Sequence, residues 1–391
     1  MDPLRVLVVH NRYRSGQPSG EDNVVDQEVD LLRSAGHEVT RFERRSDDIA
    51  GMSLARKAMV PLTVPWNPAA RTALAGHVRT FRPDVVHVHN TFPLVSPAAL
   101  SACGDVPVVA TLHNYTQVCP TGTLYRDGST CTACVGKLPV PAVRHGCYRG
   151  SRAATVPLAL NLMVNQKRWW SSVSRFFCIS GAQRTTLVAS GMPAELLKVK
   201  YNFVADTAVR RTGPGKHLLY LGRLTEEKGV RLLMSAWSPS VGLPLVIAGA
   251  GPMEDEVAAW AATRQEVRFV GLQDKASARA LVADAVAVVV PSTWQETFGL
   301  VVVEAMAAGV PSVVAGHGSL AELIADGVTG LHHLPGNAAS LATAMTRVRS
   351  LPGLGAAARD EYERNFTPAV GLANLEAGYR EVVSRRAQVV H

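Results

Sequence analysis

Short apolar runs alternate along the whole chain with longer stretches whose apolar residues recur at helical spacing. This alternation is typical of βα units built around a parallel sheet. Uninterrupted apolar runs such as 287–290 fit strands buried on both faces, as parallel sheets require. The predicted strands are 5–10, 39–42, 85–89, 108–112, 176–179, 199–201, 218–221, 245–248, 267–270, 286–290, 312–315 and 330–333, and the predicted helices include 23–34, 254–263 and 300–308.

A polar segment near the midpoint, residues 205–216, contains Gly-Pro-Gly and predicts an interdomain linker. Residues 1–204 then form an N-terminal domain and 217–371 a C-terminal domain, both Rossmann-like, and 372–391 form a C-terminal helix. We therefore expect an α/β fold with two parallel sheets that face each other across a cleft. Ligands of such sheets bind at the carboxyl ends of the strands.

Composition narrows the class of protein further. The 391 residues are 47% apolar and 18% charged, which excludes a largely disordered chain. The uninterrupted apolar runs are far shorter than the roughly 20 residues needed to span a bilayer. The apolar stretch at 6–9 is too short for a signal peptide and reads as a first strand. We expect a soluble, cytoplasmic protein.

The chain is basic, with 40 Lys plus Arg against 32 Asp plus Glu and a net charge of +8. Such a balance favours anionic partners. The cations are scattered, and the sequence lacks helix-turn-helix, zinc-finger and aromatic RNA-binding motifs, so we expect no nucleic-acid partner. Trp169-Trp170 beside Lys167-Arg168 has two interpretations, an interfacial membrane anchor and a buried helix. The second is favoured, and we expect at most peripheral membrane contact.

Three features of the C-terminal half belong together. A predicted strand at 218–221 is followed by Arg223 and Lys228, and the strand at 286–290 is followed by a polar loop that carries Glu296. A helix begins after Gly299, with Glu304 about one turn into it. Free amides at that helix N-terminus and the two cations predict a metal-free diphosphate site. The two glutamates are then available to accept hydrogen bonds from hydroxyl groups on either side of the diphosphate.

The run G-R-L-x-x-x-K-G and the later run E-T-F-G-L-V-V-V-E resemble the retaining glycosyltransferases of family four, which have the GT-B fold. The second run is similar to the E-x7-E signature of that family, and Gly20-Glu21-Asp22 and His113-Asn114 match in the first half. The resemblance implies transfer of a hexose-type sugar from a UDP- or GDP-sugar to a hydroxyl acceptor, with retention and without a catalytic cofactor.

The resemblance also implies a role for individual residues. Arg223 and Lys228 bind the donor diphosphate, Glu304 holds the ribose diol, and Glu296 holds a hydroxyl of the donor sugar. Gly20 belongs to a loop that approaches the phosphate, and His113 lines the cleft near the reacting sugar. The implied catalytic residues are His113, Arg223, Lys228 and Glu296. The implied donor-binding residues are Gly20, Arg223, Lys228, Glu296, Phe298, Gly299, Leu300 and Glu304.

Four cysteines lie in one predicted insertion, residues 115–150: Cys119, Cys131, Cys134 and Cys147, spaced C-x11-C-x2-C-x12-C. This spacing suits a structural zinc ion held by four thiolates, with disulfides and free thiols as the alternatives. We expect no catalytic role for this metal, because four thiolates leave no open coordination position. The insertion follows His113 directly, so we expect it to shape the choice of acceptor.

Other functions stay open at this stage. A nucleotide-sugar epimerase or hydrolase shares the architecture, and a non-catalytic nucleotide-sugar-binding protein would need the same donor residues.

The partial fingerprint Gly249-x-Gly251 is a weak sign of a dinucleotide site, because the third glycine is missing. His87 and His89 alternate on one strand, which favours packing roles, with His89 the better candidate for the cleft. Base, sugar, acceptor and oligomeric state are not fixed; a polysaccharide, a lipid-linked sugar and a small natural product all remain candidate acceptors.

Overall fold

The computed structural model describes residues 2–15 and 19–389, and the chain divides into two compact units. The first unit comprises Met1–Leu124, Cys131–Lys200 and Gly371–His391, and the second comprises Tyr125–Thr130 and Tyr201–Val370. Each unit contains a six-stranded, entirely parallel sheet with helices packed on it.

The strands of the two sheets carry mostly buried, β-branched side chains. The first sheet consists of β1 (Arg5–Arg12), β2 (Glu38–Arg45), β3 (Val85–Asn90), β4 (Val108–Leu112), β7 (Arg175–Cys178) and β8 (Leu197–Val199), and β5 (Tyr125–Arg126) and β6 (Ser129–Thr130) form a separate antiparallel hairpin. The second sheet consists of β9 (His217–Leu221), β10 (Leu245–Ala248), β11 (Val267–Gly271), β12 (Ala285–Val290), β13 (Ser312–Ala315) and β14 (Gly330–His333).

Fourteen α-helices connect or flank these strands within the described residues. They are α1 (Gly20–Ser34), α2 (Leu54–Thr63), α3 (Pro68–Phe81), α4 (Val140–His145), α5 (Arg152–Ser172), α6 (Gly181–Ala189), α7 (Val230–Ala236), α8 (Glu254–Ala262), α9 (Lys275–Ala283), α10 (Leu300–Ala307), α11 (Gly318–Leu323), α12 (Ala338–Arg347), α13 (Leu354–Asn365) and α14 (Pro368–Val389). Short 3₁₀ turns occupy Ser46–Ile49, Pro97–Cys103, Ala194–Leu196, Glu226–Lys228, Pro239–Val241 and Val348–Ser350.

Strand order determines where each sheet can bind a ligand. The first sheet has the order β2-β1-β3-β4-β7-β8 and the second β11-β10-β9-β12-β13-β14. The order reverses between β1 and β3 in the first sheet and between β9 and β12 in the second. Parallel sheets bind ligands beyond the carboxyl ends of the strands at such reversals. In the second sheet these ends precede Arg223 and Glu296, two of the predicted site residues.

The α/β fold predicted from the hydrophobic pattern is confirmed. The predicted strands at 108–112, 245–248, 312–315 and 330–333 have the observed bounds. The strand predicted at 199–201 instead runs Leu197–Val199.

The boundary between the units differs from the predicted linker at 205–216. The change of unit falls between Lys200 and Tyr201, and the polar segment belongs entirely to the second unit. Backbone hydrogen bonds explain this, because the amide of Arg211 donates to Ala308 and that of Lys216 to Asp284. The segment is polar because it runs along a surface.

The C-terminal helix completes the core of the first unit. It begins at Pro368, four residues before the predicted start, and residues 390–391 of the predicted helix lie outside the described residues. Leu375, Tyr379 and Val382 are buried in one cluster with residues of the first sheet. A Cβ added at Gly378 would lie 2.4 Å from the ring of Phe177, so the helix approaches the sheet at a glycine.

None of the helices within residues 2–15 and 19–389 is both long enough and apolar enough to cross a bilayer.

Candidate active site

Two loops at the carboxyl ends of β9 and β12 are held against each other in the second unit. Gly229 has a φ of +74°, and a Cβ at this position would lie 2.0 Å from the carbonyl oxygen of Pro291. The amide of Thr293 donates to the carbonyl of Glu227 at 3.0 Å. Only glycine permits this approach, which brings Lys228 of one loop beside Glu296 of the other.

Lys228 and Glu296 form the central ion pair of this site. The Lys228 ammonium lies 2.6 and 2.8 Å from the two carboxylate oxygens of Glu296. The hydroxyl of Ser292 donates to the same carboxylate at 2.7 Å. Burial opposes ionisation of Glu296, but the charge of Lys228 and these hydrogen bonds outweigh it and lower the pKa of the carboxyl. The pair is therefore a fixed anion and a fixed cation.

Arg223 supplies a second, more accessible cation. Its side chain is 61% exposed, and its guanidinium lies 3.5 Å from the carboxylate of Glu227. The hydroxyl of the buried Tyr220 donates to the carbonyl of Arg223 at 2.6 Å and fixes the backbone there. The backbone of Arg223 is thus fixed, while its largely exposed guanidinium is accessible to an anion.

Helix α10 begins at the predicted position beside the ion pair. Gly299 is its N-cap, with a φ of +134°, and Leu300 is its first residue. Phe298 is buried against the rings of Tyr201 and Phe366. Ser319 donates from its hydroxyl to the carbonyl oxygens of Glu296 and Phe298. These contacts hold the loop so that the first-turn amides of α10 meet the site with the positive end of the helix dipole.

Glu304 lies in the second turn of α10. Nearby protein atoms desolvate its carboxyl and raise its pKa to about 7, while the charges of Arg279 and Lys275 act in the opposite direction. The residue is nevertheless exposed at the surface. A carboxyl with this pKa changes its charge near neutral pH, and it accepts hydrogen bonds from hydroxyl groups on both oxygens only when ionised.

The partial fingerprint Gly249-x-Gly251 has a packing explanation. A Cβ at Gly249 would lie 1.8 Å from the carbonyl oxygen of Gly222, and one at Gly251 would lie 2.5 Å from that of Leu224. The amides of Gly222 and Leu224 donate to Ala248 and Ala250. Both glycines therefore allow the loop that carries Arg223 to pack closely.

Three residues that contact the site were not singled out from the sequence: Ser292, Ser319 and His317. His317 N-caps α11, and its imidazole lies 3.3 Å from the carbonyl of Ser292. Burial lowers its pKa, so the ring is neutral. Their positions after strands of the second sheet could have indicated them, since Ser292 is the second residue after β12 and His317 and Ser319 lie within four residues of the end of β13.

His113 lies at the carboxyl end of β4 in the first unit, as predicted. Its Nε2 lies 3.0 Å from Nδ1 of His89, and the two rings stack. Burial, together with the charge of Lys200, lowers the pKa of His113 well below its usual range, so its imidazole is neutral. Both histidines line a cavity of about 630 Å³ within this unit. The structure therefore brings His113 and His89 together, whereas His87 packs inside the fold.

Beneath this cavity lies a buried polar cluster. The Lys200 ammonium contacts the carboxylate of Glu28, and both side chains are almost fully buried. His87 bonds to the hydroxyls of Tyr379 at 2.7 Å and Thr111 at 2.8 Å. Glu28, His87 and His89 have ligand atoms close enough to share a metal ion. The Lys200 cation already occupies that carboxylate, so the cluster is interpreted as a structural network.

Gly20 is the first residue of α1. The acidic residues after it point back into the first unit, as the carboxylate of Asp22 contacts Nε2 of His10 at 2.6 Å and accepts from the amide of Tyr13 at 3.3 Å. Glu21 accepts from the Tyr13 hydroxyl at 3.1 Å, and burial raises its pKa to about 8. Both carboxylates therefore have hydrogen-bond partners within the first unit.

The four cysteines of the insertion lie in one neighbourhood of the first unit and form no disulfide. Burial raises the pKa of the Cys134 thiol, and the nearby thiols of Cys119, Cys147 and Cys131 raise it further. As the described side chains stand, no three of these sulfur atoms lie close enough together to share one ion. The four thiols therefore lie near one another but are not arranged to coordinate one ion.

Comparison with known proteins agrees with this architecture. Residues 18–207 match the model of Glycosyltransferase Family 4, and residues 215–350 match that of Glycosyl transferases group 1. The chain is 30% identical to a glycogen synthase of Mycobacterium tuberculosis, over 89% of this chain and 87% of that protein. It is 26% identical to a phosphatidyl-myo-inositol mannosyltransferase of Mycobacterium leprae, over 85% and 84% of the two chains.

A solved structure shows the same fold. The Anabaena protein HepE, crystallised with UDP and glucose, matches 97% of this chain and 100% of its own with a TM-score of 0.63 at 18% identity. The two parallel sheets and their helices are those of the GT-B glycosyltransferases. The chain belongs to glycosyltransferase family four and is a glycosyltransferase.

Proposed function

We propose that this enzyme transfers a hexose-type sugar from a UDP- or GDP-sugar to a hydroxyl acceptor, with retention at the anomeric carbon. The observation that carries the proposal is the Lys228–Glu296 pair, held beside Arg223 and the N-terminus of α10. A relative that carries mannosyltransferase in its name and a neighbour crystallised with UDP and glucose support a nucleotide-sugar donor.

Arg223 and Lys228 bind the donor diphosphate, with the first-turn amides of α10 as further donors of hydrogen bonds. The charge that develops during transfer lies on the departing nucleoside diphosphate, so fixed cations lower the barrier electrostatically. Glu296 fixes the Lys228 ammonium and accepts a hydrogen bond from a hydroxyl of the sugar. Phe298, Gly299 and Leu300 present backbone groups beside it, and Glu304 holds the ribose diol.

In the proposed step the acceptor oxygen forms a bond to the anomeric carbon on the face that the leaving group departs from. The bond from that carbon to the phosphate oxygen breaks, and its electron pair stays on the phosphate. The same phosphate accepts the proton of the acceptor hydroxyl. No side chain is required as a nucleophile, and the neutral His113 ring hydrogen-bonds near the reacting sugar. Gly20 leaves room for the phosphate at the start of α1.

We also infer a structural role for zinc in the insertion. Cys119, Cys131, Cys134 and Cys147 offer a donor set of four thiols, which suits a tetrahedral zinc ion, and the thiols of Cys119, Cys131 and Cys147 lie near enough to Cys134 to raise its pKa. The ion would cross-link a segment with little regular structure and would take no part in the transfer step.

The test starts from nucleotide binding and ends on the product. UDP and GDP are added to the wild-type protein and to Glu304→Ala in thermal unfolding, where a ligand at about 100 times its dissociation constant adds about 2.7 kcal/mol. We expect one nucleotide to raise the melting temperature of the wild type alone. The matching nucleotide sugars are then incubated with and without glycosyl acceptors, and the anomeric configuration of the product is read by NMR. Inversion, or loss of sugar without transfer, would overturn the proposal.

A further inference from the structure

Exposed apolar side chains are concentrated on one part of the first unit, which we call the apolar face. Of the fourteen large apolar residues that are exposed within the described chain, ten lie on or beside α2, α4 and α5. The residues of the apolar face are Leu54, Met59, Leu62, Trp66, Leu138, Val140, Val156, Leu160, Met163 and Val164. A concentration of this kind marks an interaction site.

Helix α2 has no buried residue at all. Leu54 is 85% exposed and Leu62 66%, yet the helix contains only two charged residues, Arg56 and Lys57. A helix of a folded protein usually buries its apolar side chains against the core. Helix α2 therefore presents an apolar surface that nothing in the described chain covers.

Helix α5 is apolar on both faces. Its inner face buries Leu158 and Leu162, while Val156, Leu160 and Val164 recur at intervals of four residues on the outer face. Side chains at this spacing lie in one row along a helix. The Trp169 and Trp170 pair, considered as a membrane anchor in the sequence, instead packs on the core.

The apolar face is continuous. Helix α5 contacts both α2 and α4, and the guanidinium of Arg168 lies 5.9 Å from the ring centre of Trp66. Lys167 and Arg168 mark the C-terminal end of the outer row, and Arg152 marks its start.

Positive charge predominates around this face, although Asp47 and Asp48 lie near Ser53 and Arg56 at the start of α2. Residues 49–83 contain five Lys or Arg and no Asp or Glu, and residues 128–194 contain eight Lys or Arg and no Asp or Glu, although the whole chain has 32 acidic residues. These two stretches include all of α2, α3, α4 and α5. An apolar surface with an excess of cations around it is complementary to an anionic lipid surface, where acyl chains lie beneath negative headgroups.

The cavity reaches the same face. Its walls include Lys57 and Pro61 of α2 and Pro157 and Asn161 of α5, and it extends to His113. A molecule held in a bilayer beneath the apolar face could therefore extend its headgroup between the two helices toward the imidazole.

We propose that the apolar face docks on an anionic lipid bilayer and that the cavity receives the polar headgroup of a membrane-borne hydroxyl acceptor. The second part rests on the proposed function, and the first does not. The surfaces of α2 and α5 fit an anionic bilayer better than a protein partner, because cations outnumber carboxylates around the apolar row and neither helix itself carries an acidic residue.

The experiment uses the full chain and vesicles of phosphatidylcholine with or without phosphatidylglycerol. We expect co-flotation with the anionic vesicles, weakened by salt, and at least a tenfold loss of binding in Leu54→Glu combined with Leu160→Glu. The matched control is Leu272→Glu combined with Val328→Glu, two exposed apolar residues of the second unit, which should bind as the wild type does.

Four outcomes would overturn the docking proposal. The first two are no binding of the wild type to anionic vesicles and equal binding to neutral and anionic vesicles. The third is an equal loss of binding in both double variants, and the fourth is light scattering that shows a wild-type dimer that the Leu54 and Leu160 changes dissociate. The nucleotide-induced melting shift is measured on the same variants. If it persists while vesicle binding is absent, the docking proposal fails and the transferase proposal stands; if it is absent in the wild type, the donor assignment fails independently.

Discussion

The ammonium of Lys228 contacts both carboxylate oxygens of Glu296, at 2.6 and 2.8 Å, across two loops that are 68 residues apart in the chain. The pair is not a surface salt bridge, because Glu296 is buried and also accepts from Ser292. The Lys228 ammonium and the Glu296 carboxylate therefore stabilise each other where little water reaches them. A ligand phosphate that reaches Lys228 meets a cation whose position is already fixed.

Replacement of Lys228 tests this arrangement. Lys228→Ala should lower kcat by about 10²-fold or more, the usual effect of losing one fixed charge contact to the transition state. The measurement is single-turnover sugar transfer at saturating donor. Lys216→Ala is the control, since Lys216 is an exposed lysine of the same unit that pairs with Asp284. Turnover like that of the wild type in Lys228→Ala would remove this residue from the site.

Glu304 predicts a pH dependence of donor binding. Its pKa of about 7 means that the carboxylate is lost as the pH falls through neutrality, and with it the acceptor for the ribose hydroxyls. The affinity for UDP or GDP should fall between pH 8 and pH 6, by at most tenfold per pH unit.

Glu304→Gln isolates this effect in titration calorimetry, because the nucleotide phosphates titrate equally in both proteins. The variant should bind more weakly at pH 8 and lose the part of the pH dependence due to residue 304. Identical pH profiles for the two proteins would contradict the assignment.

Gly229 should tolerate no side chain. With a φ of +74° and a Cβ position 2.0 Å from the Pro291 carbonyl oxygen, Gly229→Ala forces the two loops apart. We expect a loss of about 2 kcal/mol or more in the free energy of unfolding, measured by urea denaturation, together with weaker nucleotide binding. Gly213→Ala is the matched control, since that position has no atom within 4 Å of an added Cβ, and its stability should change by less than about 0.5 kcal/mol.

The cysteine cluster predicts a metal content. Protein purified without chelator should contain about one zinc ion per chain, and Cys134→Ser should lose it along with part of the thermal stability. Cys103→Ser changes a buried cysteine outside the insertion and should keep the zinc. Elemental analysis that finds no zinc in the wild type, with all four thiols reactive, would establish free thiols instead.

The buried pair of Lys200 and Glu28 predicts a large structural effect. Lys200→Met leaves the Glu28 carboxylate buried without its cation and should cost about 3–5 kcal/mol of unfolding free energy. Lys198→Met is the control, because Lys198 lies on β8 two residues before Lys200, its side chain is 41% exposed, and its ammonium is 3.6 Å from Glu381. Equal effects of the two changes would show that burial of the pair is energetically unimportant.

The sequence was most informative where one local cause determines the structure. Strand β4, residues 108–112, was predicted with its observed bounds because a run buried on both faces admits few alternatives. Helix α10 was predicted from the glycine before it. Arg223, Lys228 and Glu296 were predicted as site residues because each follows a strand of the same sheet.

Features that depend on distant pairing could not be predicted in this way. Glu28 and Lys200 are 172 residues apart, and nothing near either residue indicates that both are buried. Helix α2 has its apolar side chains exposed, and the spacing of apolar residues in the sequence does not distinguish an exposed row from a buried one. The polar segment 205–216 has the composition of a linker, but its backbone bonds to the second unit.

The return of α14 to the first sheet has a consequence for biosynthesis. A ribosome completes the second unit's sequence at Val370, whereas the first unit lacks Leu375, Tyr379 and Val382 until the last helix emerges. The part of the chain that is made first is therefore the last to bury its core. Until α14 emerges from the ribosome, the sheet beneath it exposes an apolar surface to the cell's chaperones, and a ribosome stalled soon after Val370 would leave the nascent enzyme with one finished domain and one unfinished domain.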